Sequence, residues 1–441
     1  MRVCCARWKL WILMKFTAAG DALLQQRIPE NYEGFAKVRD FIERGDAKFF
    51  NLETTLNYEG ECFASQFSGG TYVRTNPEGF GDLLNYGFNM TSFNNNHTMD
   101  FSYEGMLKTI EAVDAYEVVH SGVGRNLDEA SAPHYLDTPN GRVALISVNT
   151  YFEPCMMAGK QSRRFPGRPG INGLRHSETL MVEAEDFAKI QEITEKTGIN
   201  FEEKIHIAQG YSKPFPEGVC QMGSLRFQLG EKAGRVGKCN EEDLARVKKA
   251  IFEAQLQANY ILISLHHHEM GPGSNELPPD FVEEFARFCI DVGAHAVIGH
   301  GPHLLRPVEV YKNRPIFYSL GDFILQLYSV PVAPEDFYAK QNLTSDVTVH
   351  ELLAKRSANF SRGLMEDPVM TEAIVPYWEM ENGELTKLEL LPVVCRNQEN
   401  KSVAGLPVVG EEDKIAERLA RLSASYGVTM KLEDGVIKCS W

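Results

Sequence analysis

The chain has 441 residues, 43% hydrophobic and 24% charged, an ordinary globular composition that excludes collagen-like, low-complexity and intrinsically disordered classes. Lysine and arginine number 45 against 60 aspartate and glutamate; the resulting charge of −15 repels polyphosphate backbones and argues against nucleic acid as a partner. Nine scattered cysteines without a CxxC pair indicate neither a disulfide framework nor a zinc ribbon, and reduced thiols in the cytoplasm are the simpler expectation.

At the start, Arg2, Arg7 and Lys9 precede a short apolar run, Leu10 to Met14. That run falls short of the ~7–15 residues of a signal-peptide core, and no stretch approaches the ~20 apolar residues of a membrane span. A cytoplasmic protein without a membrane anchor is therefore expected. Met14 opens a good strand, so residues 1–13 are expected to be a disordered or non-native tail. Strands follow at 16–19, 48–52, 88–93, 117–120 and 143–148, separated by helical spacing at 34–44, 77–86 and 103–113. This alternation is the pattern of βαβ units around a buried sheet. Residues 151–240 break the rhythm, being rich in Gly, Pro and charge with one amphipathic helix near 183–197, and read as an inserted cap. The alternation resumes with a helix at 241–259, a strand at 260–265, a helix at 279–292 and a strand at 294–298. A hairpin is expected over 308–311 and 316–320, strands near 373–377 and 385–392, and a helix at 413–425 before a small strand pair. With no repeats or low-complexity linker, the expected organisation is one elaborated domain over 14–330, an insertion at about 151–240, and an extension, 331–441, packed on the same domain.

In α/β sheets functional groups collect at the carboxyl ends of strands. Five strands here end in polar clusters: Asp21; Asn51 and Glu53; Asn95, Asn96 and His97; His266-His267-His268-Glu269; and His300 with His303. A single strand-end histidine is usually structural, and half of the 12 histidines lie elsewhere. Five clusters together make a different case. Carboxylate, amide and imidazole are the ligand set of Mn²⁺, Fe²⁺ or Zn²⁺, and such convergence is how a metal site is recognised.

The wording of these stretches resembles the CapA-like (poly-γ-glutamate capsule synthesis, PGA_cap) family of the metallo-dependent, calcineurin-like phosphatase superfamily. The matching segments are GD at 20–21, NLET at 51–54, NNHTMD at 95–100, SGVGRNLDEA at 121–130 and SLH at 264–266. GHGPHLLRPVEVYKNRPIFYSLGDFI at 299–324 is the longest and most specific, and LARLSASYGV at 419–428 is family-like. The resemblance implies a four-layer α/β/β/α sandwich with a metal site at one edge. It implies Asp21, Glu53, Asn96, His266, His300 and His303 as metal ligands, His97 as the catalytic imidazole, and Asp100 as the carboxylate orienting it.

The departures are instructive. Ordinary metallophosphatases carry Asp-x-His on the first strand and GDxxD in the second motif; here Asp21 is followed by Ala22-Leu23 and the second motif is Asn51-Leu52-Glu53. One tight divalent ion (Mn, Fe, Zn, or Mg or Ca) and an uncertain second one are expected. Many CapA-like proteins have tryptophan and glycine after the late-strand histidine, where this chain has His267-His268. His268 would share the face of His266 if the strand continued, and is a candidate to touch substrate. Arg163, Arg164 and Arg168, in an acid-free stretch over 160–176, and Arg27 are further candidates for binding an anionic substrate, since guanidinium forks fit carboxylates and phosphates; the blander reading of each is a solvated surface charge. The first functional reading is a metal-dependent, phosphoesterase-like hydrolase acting on a small anionic or peptide substrate. The alternatives are a metal and histidine enzyme acting on a peptide, by amide hydrolysis or epimerisation at Cα, and a non-catalytic binding protein with a degenerate metal site.

Overall fold

The computed structural model describes residues 13–398 and 400–441. The expectation of a tail over 1–13 lies, apart from Leu13, outside the described residues. The protein is a mixed α/β structure with two large sheets. The first has ten strands, and its spine runs in the order Thr429–Glu433, Val436–Ser440, Glu384–Val394, Glu372–Glu381, Met14–Leu23, Ala47–Leu52, Met90–Ser92 and Val119–Ser121. Asp322–Leu325 pairs parallel to Met14–Leu23 beside this path. The second sheet has six strands, in the order Val308–Tyr311, Arg314–Phe317, Ala296–His300, Tyr260–His266, Gly141–Asn149 and His134–Thr138.

Side chains alternate between the two faces of a strand, and both faces of these strands are apolar, as sheets covered on both sides require. Phe49 joins a core shared with Leu145, Leu262, Ile298 and Phe317 of the six-stranded sheet. Its neighbour Phe50 packs on the other side with residues of the helices Phe35–Ile42, Pro77–Leu84 and Ser102–Ala115. In the second sheet Ile146, Ile263 and Val297 face the helices Glu241–Gln257 and Asp280–Asp291. Trp378, fully buried, stacks on Phe16 at 5.1 Å and lies 5.4 Å from Phe317, so one indole joins the two sheets.

Parallel register brings the functional ends together. Asp21 sits opposite Asn51 on one side and Asp322 on the other. His266 sits opposite His300 and Asn149. The close approach of the first and third of these segments demands glycine: a Cβ on Gly20 would meet the Gly321 carbonyl oxygen at 1.8 Å, and Gly321 itself has φ +74°.

Several elements differ from expectation, three of them as follows. The segment 151–240 holds its own four-stranded sheet, in the order Val219–Met222, Leu225–Leu229, His176–Val182, Gly234–Cys239, with the helices Ala184–Thr197 and Phe201–Ala208. These strands are half exposed and interrupted by Gly, Lys and Arg, which hides the period-2 signal. The expected strand 316–320 stops at Phe317, because the chain turns at Gly321 and starts a new strand at Asp322. The late strand ends at His266, one residue beyond the expected Leu265. Among the described residues, no helix is long and apolar enough to cross a membrane.

Candidate metal centre

Asp21, Glu53, His266, His300 and Asp322 are buried to 1% exposure or less, and His303 to 8%. Their ligand atoms fall into three overlapping groups: Asp21 with His266 and His300; Glu53 with His266 and His268; and Asp21 with Glu53, His303 and Asp322. Within each group the atoms lie within 4.8 Å of one another. Asp21 Oδ1 is 3.3 Å from His300 Nδ1, while Glu53 Oε1 lies 3.9 Å from His266 Nε2 and 3.8 Å from His303 Nε2.

The supporting hydrogen bonds orient these groups. Asp21 accepts from Asn51 Nδ2 at 2.7 Å and from the Gly301 amide at 2.7 Å. Asn95 Nδ2 reaches the Leu52 carbonyl at 2.8 Å, and its Oδ1 accepts the His97 amide. Asn96 Nδ2 donates to the Gly69 carbonyl at 3.0 Å, which turns Oδ1 onto His266 Nε2 at 2.8 Å. Ser264 Oγ meets His300 Nε2 at 2.8 Å, and Asp322 Oδ1 meets His303 Nδ1 at 2.8 Å. Partners of this kind fix the ring orientation of a metal-binding histidine. His303 has φ +56°, a left-handed backbone costing about 1–2 kcal/mol in a non-glycine residue; strain of this sort collects at functional sites.

His97 is built differently. Its Nδ1 meets Asp100 Oδ2 at 2.7 Å, and Asp100, fully buried, also accepts the Gly69 amide at 3.0 Å and the Val73 amide at 2.9 Å. The carboxylate therefore holds the proton on Nδ1 and leaves Nε2, 3.9 Å from Glu53, facing the cluster.

The electrostatics fit a cation. Burial, then the charges of Asp21 and Asp322, push the Glu53 carboxyl well above its ordinary range. Burial, then His268 and His300, drive His266 well below the usual histidine value, and burial does the same to His268. Burial would raise Asp21 too, but His300, His303 and the Gly301 amide outweigh it and hold it low. Burial pushes Asp322 up to about 6, despite His303. A neutral imidazole can turn a lone pair to a cation; at His303, by contrast, Asp322 and Asp21 outweigh burial and raise the ring. Glu53 Oε1 and Oε2 and Asp322 Oδ2 are buried with no hydrogen-bond partner among the described residues. Such orphaned oxygens carry a penalty of about 1–3 kcal/mol each that a divalent ion would remove, so the donor set fits one.

A pH dependence follows. Folded Glu53 retains a proton that the unfolded chain has released above its ordinary value of 4.5. More protons are then bound in the folded state, so this residue's contribution to metal-free stability declines as pH rises. Metal must displace that proton and, below about pH 6, the one on Asp322. Apparent metal affinity should therefore strengthen from pH 5 to pH 8 with proton release, measured by calorimetry in buffers of different ionisation enthalpy. Affinity independent of pH over that window would contradict this.

Of the residues expected from sequence, Asp21, Glu53, Asn96, His97, Asp100, His266, His300 and His303 converge. His268 converges as well: although the strand has ended, its Nε2 lies 3.1 Å from His266 Nε2. The candidate arginines lie apart from the cluster. Arg27 is bound by Asp82, Nε to Oδ2 at 2.5 Å, with its side chain 68% exposed. Arg168 donates to the Met157 carbonyl, and Arg163 lines a surface hollow with Asn126 and Asp128. Arg164 is exposed, and no hydrogen bond or ion pair joins Arg27, Arg163, Arg164 or Arg168 to the cluster among the described residues. The loop over 160–168 is tied instead to the short helix Leu127–Ser131, Leu127 donating to the Gly159 carbonyl. Asp322 is the principal residue that sequence reasoning passed over. Its signal was present: Gly321-Asp322 repeats Gly20-Asp21 on a neighbouring parallel strand. His267 turns away, donating from Nε2 to the Tyr318 carbonyl while Nδ1 accepts from Arg306.

A mixed α/β protein with a buried histidine–carboxylate centre at the carboxyl ends of two sheets is the class defined by these observations. The chain belongs to the bacterial capsule synthesis protein PGA_cap family, whose model matches residues 15–327; that family lies in the metallo-dependent phosphatase-like superfamily. It is 31% identical over 436 residues to the uncharacterized protein y4sH of Sinorhizobium fredii, covering 95% of this chain and 91% of the relative. It is 20% identical over 317 residues to the capsule biosynthesis protein CapA of Bacillus anthracis, covering 70% of this chain and 59% of the relative. The match to the PGA biosynthesis protein CapA of Bacillus subtilis is 28% over 145 residues, or 31% of this chain and 37% of the relative.

Proposed function

We propose that this chain is a metal-dependent hydrolase with a phosphoesterase-like site, acting in the cytoplasm on a small anionic or peptide substrate. The observation that carries it is Glu53: a buried carboxylate with both oxygens unpartnered, facing three imidazoles. Asp21, Glu53, Asn96, His266, His300, His303 and Asp322 would hold a divalent ion, with Asp322 supplying an oxygen where the first strand lacks the superfamily's histidine. Such an ion supplies Lewis acidity, which polarises a phosphoryl or carbonyl oxygen and makes water acidic enough to attack near neutral pH. His97 delivers a proton to the leaving group from Nε2, while Asp100 keeps Nδ1 protonated and stabilises the imidazolium before transfer. His268 lies at the rim against Tyr151, ring to ring at 4.8 Å, where it orients substrate. The shared core between the sheets, with helices on both outer faces, supports a four-layer arrangement.

A second reading has its own support. Relatives carry the names PGA biosynthesis protein and probable polyglutamine synthesis accessory protein, and an amide-linked polymer would make the same centre an amidase. The test is turnover by the chain reconstituted with Mn²⁺ on p-nitrophenyl phosphate, bis(p-nitrophenyl) phosphate and glutamate γ-p-nitroanilide. Chelator-sensitive phosphoester hydrolysis is the expected result. Anilide cleavage alone would favour the amidase, and no turnover by metal-loaded protein would favour the non-catalytic binding protein.

A further inference from the structure

Arg306 is the most deeply buried arginine among the described residues, at 0% exposure. Its side-chain partners there are uncharged acceptors. Nε donates to the Asn275 carbonyl at 3.0 Å and Nη1 to His267 Nδ1 at 3.1 Å, while Nη2 has no partner among the described residues. Burial pushes its pKa down to about 10, the charge of Glu269 offsetting part of this, so the group stays cationic at neutral pH. A buried charge that meets only neutral acceptors is an expensive way to fill space. What the guanidinium does, and an apolar stem of similar length would not, is join residue 267 to residue 275.

Residue 267 stands between two imidazoles of the centre. The alternation of an extended chain turns its ring away from the side that His266 and His268 face, and the ring is fully buried. His267 Nε2 donates to the Tyr318 carbonyl at 2.8 Å, which leaves Nδ1 to accept from Arg306. Its backbone amide donates to the His300 carbonyl at 3.0 Å, one bond beyond the end of the strand. Past that bond the loop over 268–274 has no sheet to set its path, yet it must bring His268 Nε2 back to within 3.1 Å of His266 Nε2. Its near end is held by Glu269, whose Oε2 accepts the Thr150 hydroxyl at 2.8 Å. Beyond its far end Glu276 takes Arg418 and Arg421 of the helix Glu412–Ser423, each at 2.9 Å. Arg306 alone ties that far end directly to the histidine run.

We propose that Arg306 is a positioning residue of the metal centre: by bridging His267 and Asn275 it closes the base of the loop that carries His268 and fixes the imidazoles on either side of His267. Arginine suits this because its rigid planar fork reaches two acceptors in set directions, which an ammonium group cannot do. The inference rests on the reading of the cluster as a metal centre, and its test reads metal binding without turnover.

The test is calorimetric titration with Mn²⁺ of the full metal-free chain, as wild type, Arg306→Met, Arg306→Lys and Arg314→Met. Arg314 opens the strand Arg314–Phe317, at the end away from the cluster, and donates to the Ala294 carbonyl. Both Arg306 variants should bind Mn²⁺ roughly 10- to 100-fold more weakly than wild type, the cost usual for outer partners of a metal site, and Arg314→Met should bind as wild type does. Melting curves run alongside. An arginine with a merely structural role would lower the melting temperature and leave the Kd of the folded chain unchanged. Arg306→Lys keeps the charge and much of the stem but has no fork, so it carries the test if Arg306→Met does not fold. Wild-type affinity in a folded Arg306 variant would overturn the proposal, as would an equal loss in Arg314→Met. Failure of wild type to bind Mn²⁺ would overturn it together with the metal reading. Arg306-dependent metal binding without phosphoester turnover would uphold the proposal and remove the hydrolase reading alone.

Discussion

Glu53→Gln is expected to empty the centre of metal while the chain stays folded. The substitution keeps the shape of the side chain and removes the charge. In the metal-free fold that charge is costly, since burial and the charges of Asp21 and Asp322 already press the carboxyl toward its protonated form. The variant should therefore melt at or above the temperature of metal-free wild type, with divalent-ion affinity falling by roughly 100-fold or more, beyond the 10–100-fold seen for outer-shell partners. His266→Ala should lose metal as well, because its Nε2 lies in the group with Glu53 and His268 and its Nδ1 side faces Asp21 and His300. Unlike Glu53→Gln, it should also destabilise the fold, since it leaves Asn96 Oδ1 without its partner and removes a fully buried ring. Calorimetric metal titration and melting curves on both variants separate the two patterns. Retention of wild-type metal affinity by either one would contradict these assignments.

His97→Ala should behave in the opposite way. Its imidazole stands beside the centre but belongs to none of the three ligand groups. Metal content should match wild type, while turnover falls by about 10²–10⁴, the usual contribution of a positioned proton donor. Asp100→Asn should lower turnover too, but it disturbs more, because Asp100 also receives the Gly69 and Val73 amides; its melting temperature should drop further than that of His97→Ala. If His97→Ala lost stability and kept its activity per folded molecule, the imidazole would be a structural loop residue and the acid–base role would be wrong.

Much of the centre was legible in the sequence because parallel strands place their carboxyl ends at one edge. Asp21, Glu53, Asn96 and the histidines at 266, 300 and 303 all follow apolar runs, so strand-end position and residue type coincided. His268 was readable in outcome but not in cause: the strand stops at His266, and the loop brings the imidazole back. Asp322 was hidden because the expected strand 316–320 ran up to Gly321; only the turn there, with φ +74°, starts the new strand that pairs with Met14–Leu23. The arginines were placed by sequence without their surroundings. Local absence of acid in 160–176 suggested an anion clamp, but Arg163, Arg164 and Arg168 lie away from the cluster, and Arg27 meets Asp82, 55 residues away. The inserted sheet over 176–239 escaped for want of the apolar alternation that a buried face imposes.

The central claim is that the buried histidine–carboxylate cluster holds a metal ion, and elemental analysis of the full chain purified without chelator measures it most directly. Wild type and Glu53→Gln are incubated with Mn²⁺, Fe²⁺ or Zn²⁺, dialysed and compared. At least one divalent ion per wild-type chain, with a content near zero in Glu53→Gln, is the predicted result. No metal in wild type under any of the three conditions, or equal metal in both proteins, would contradict the account.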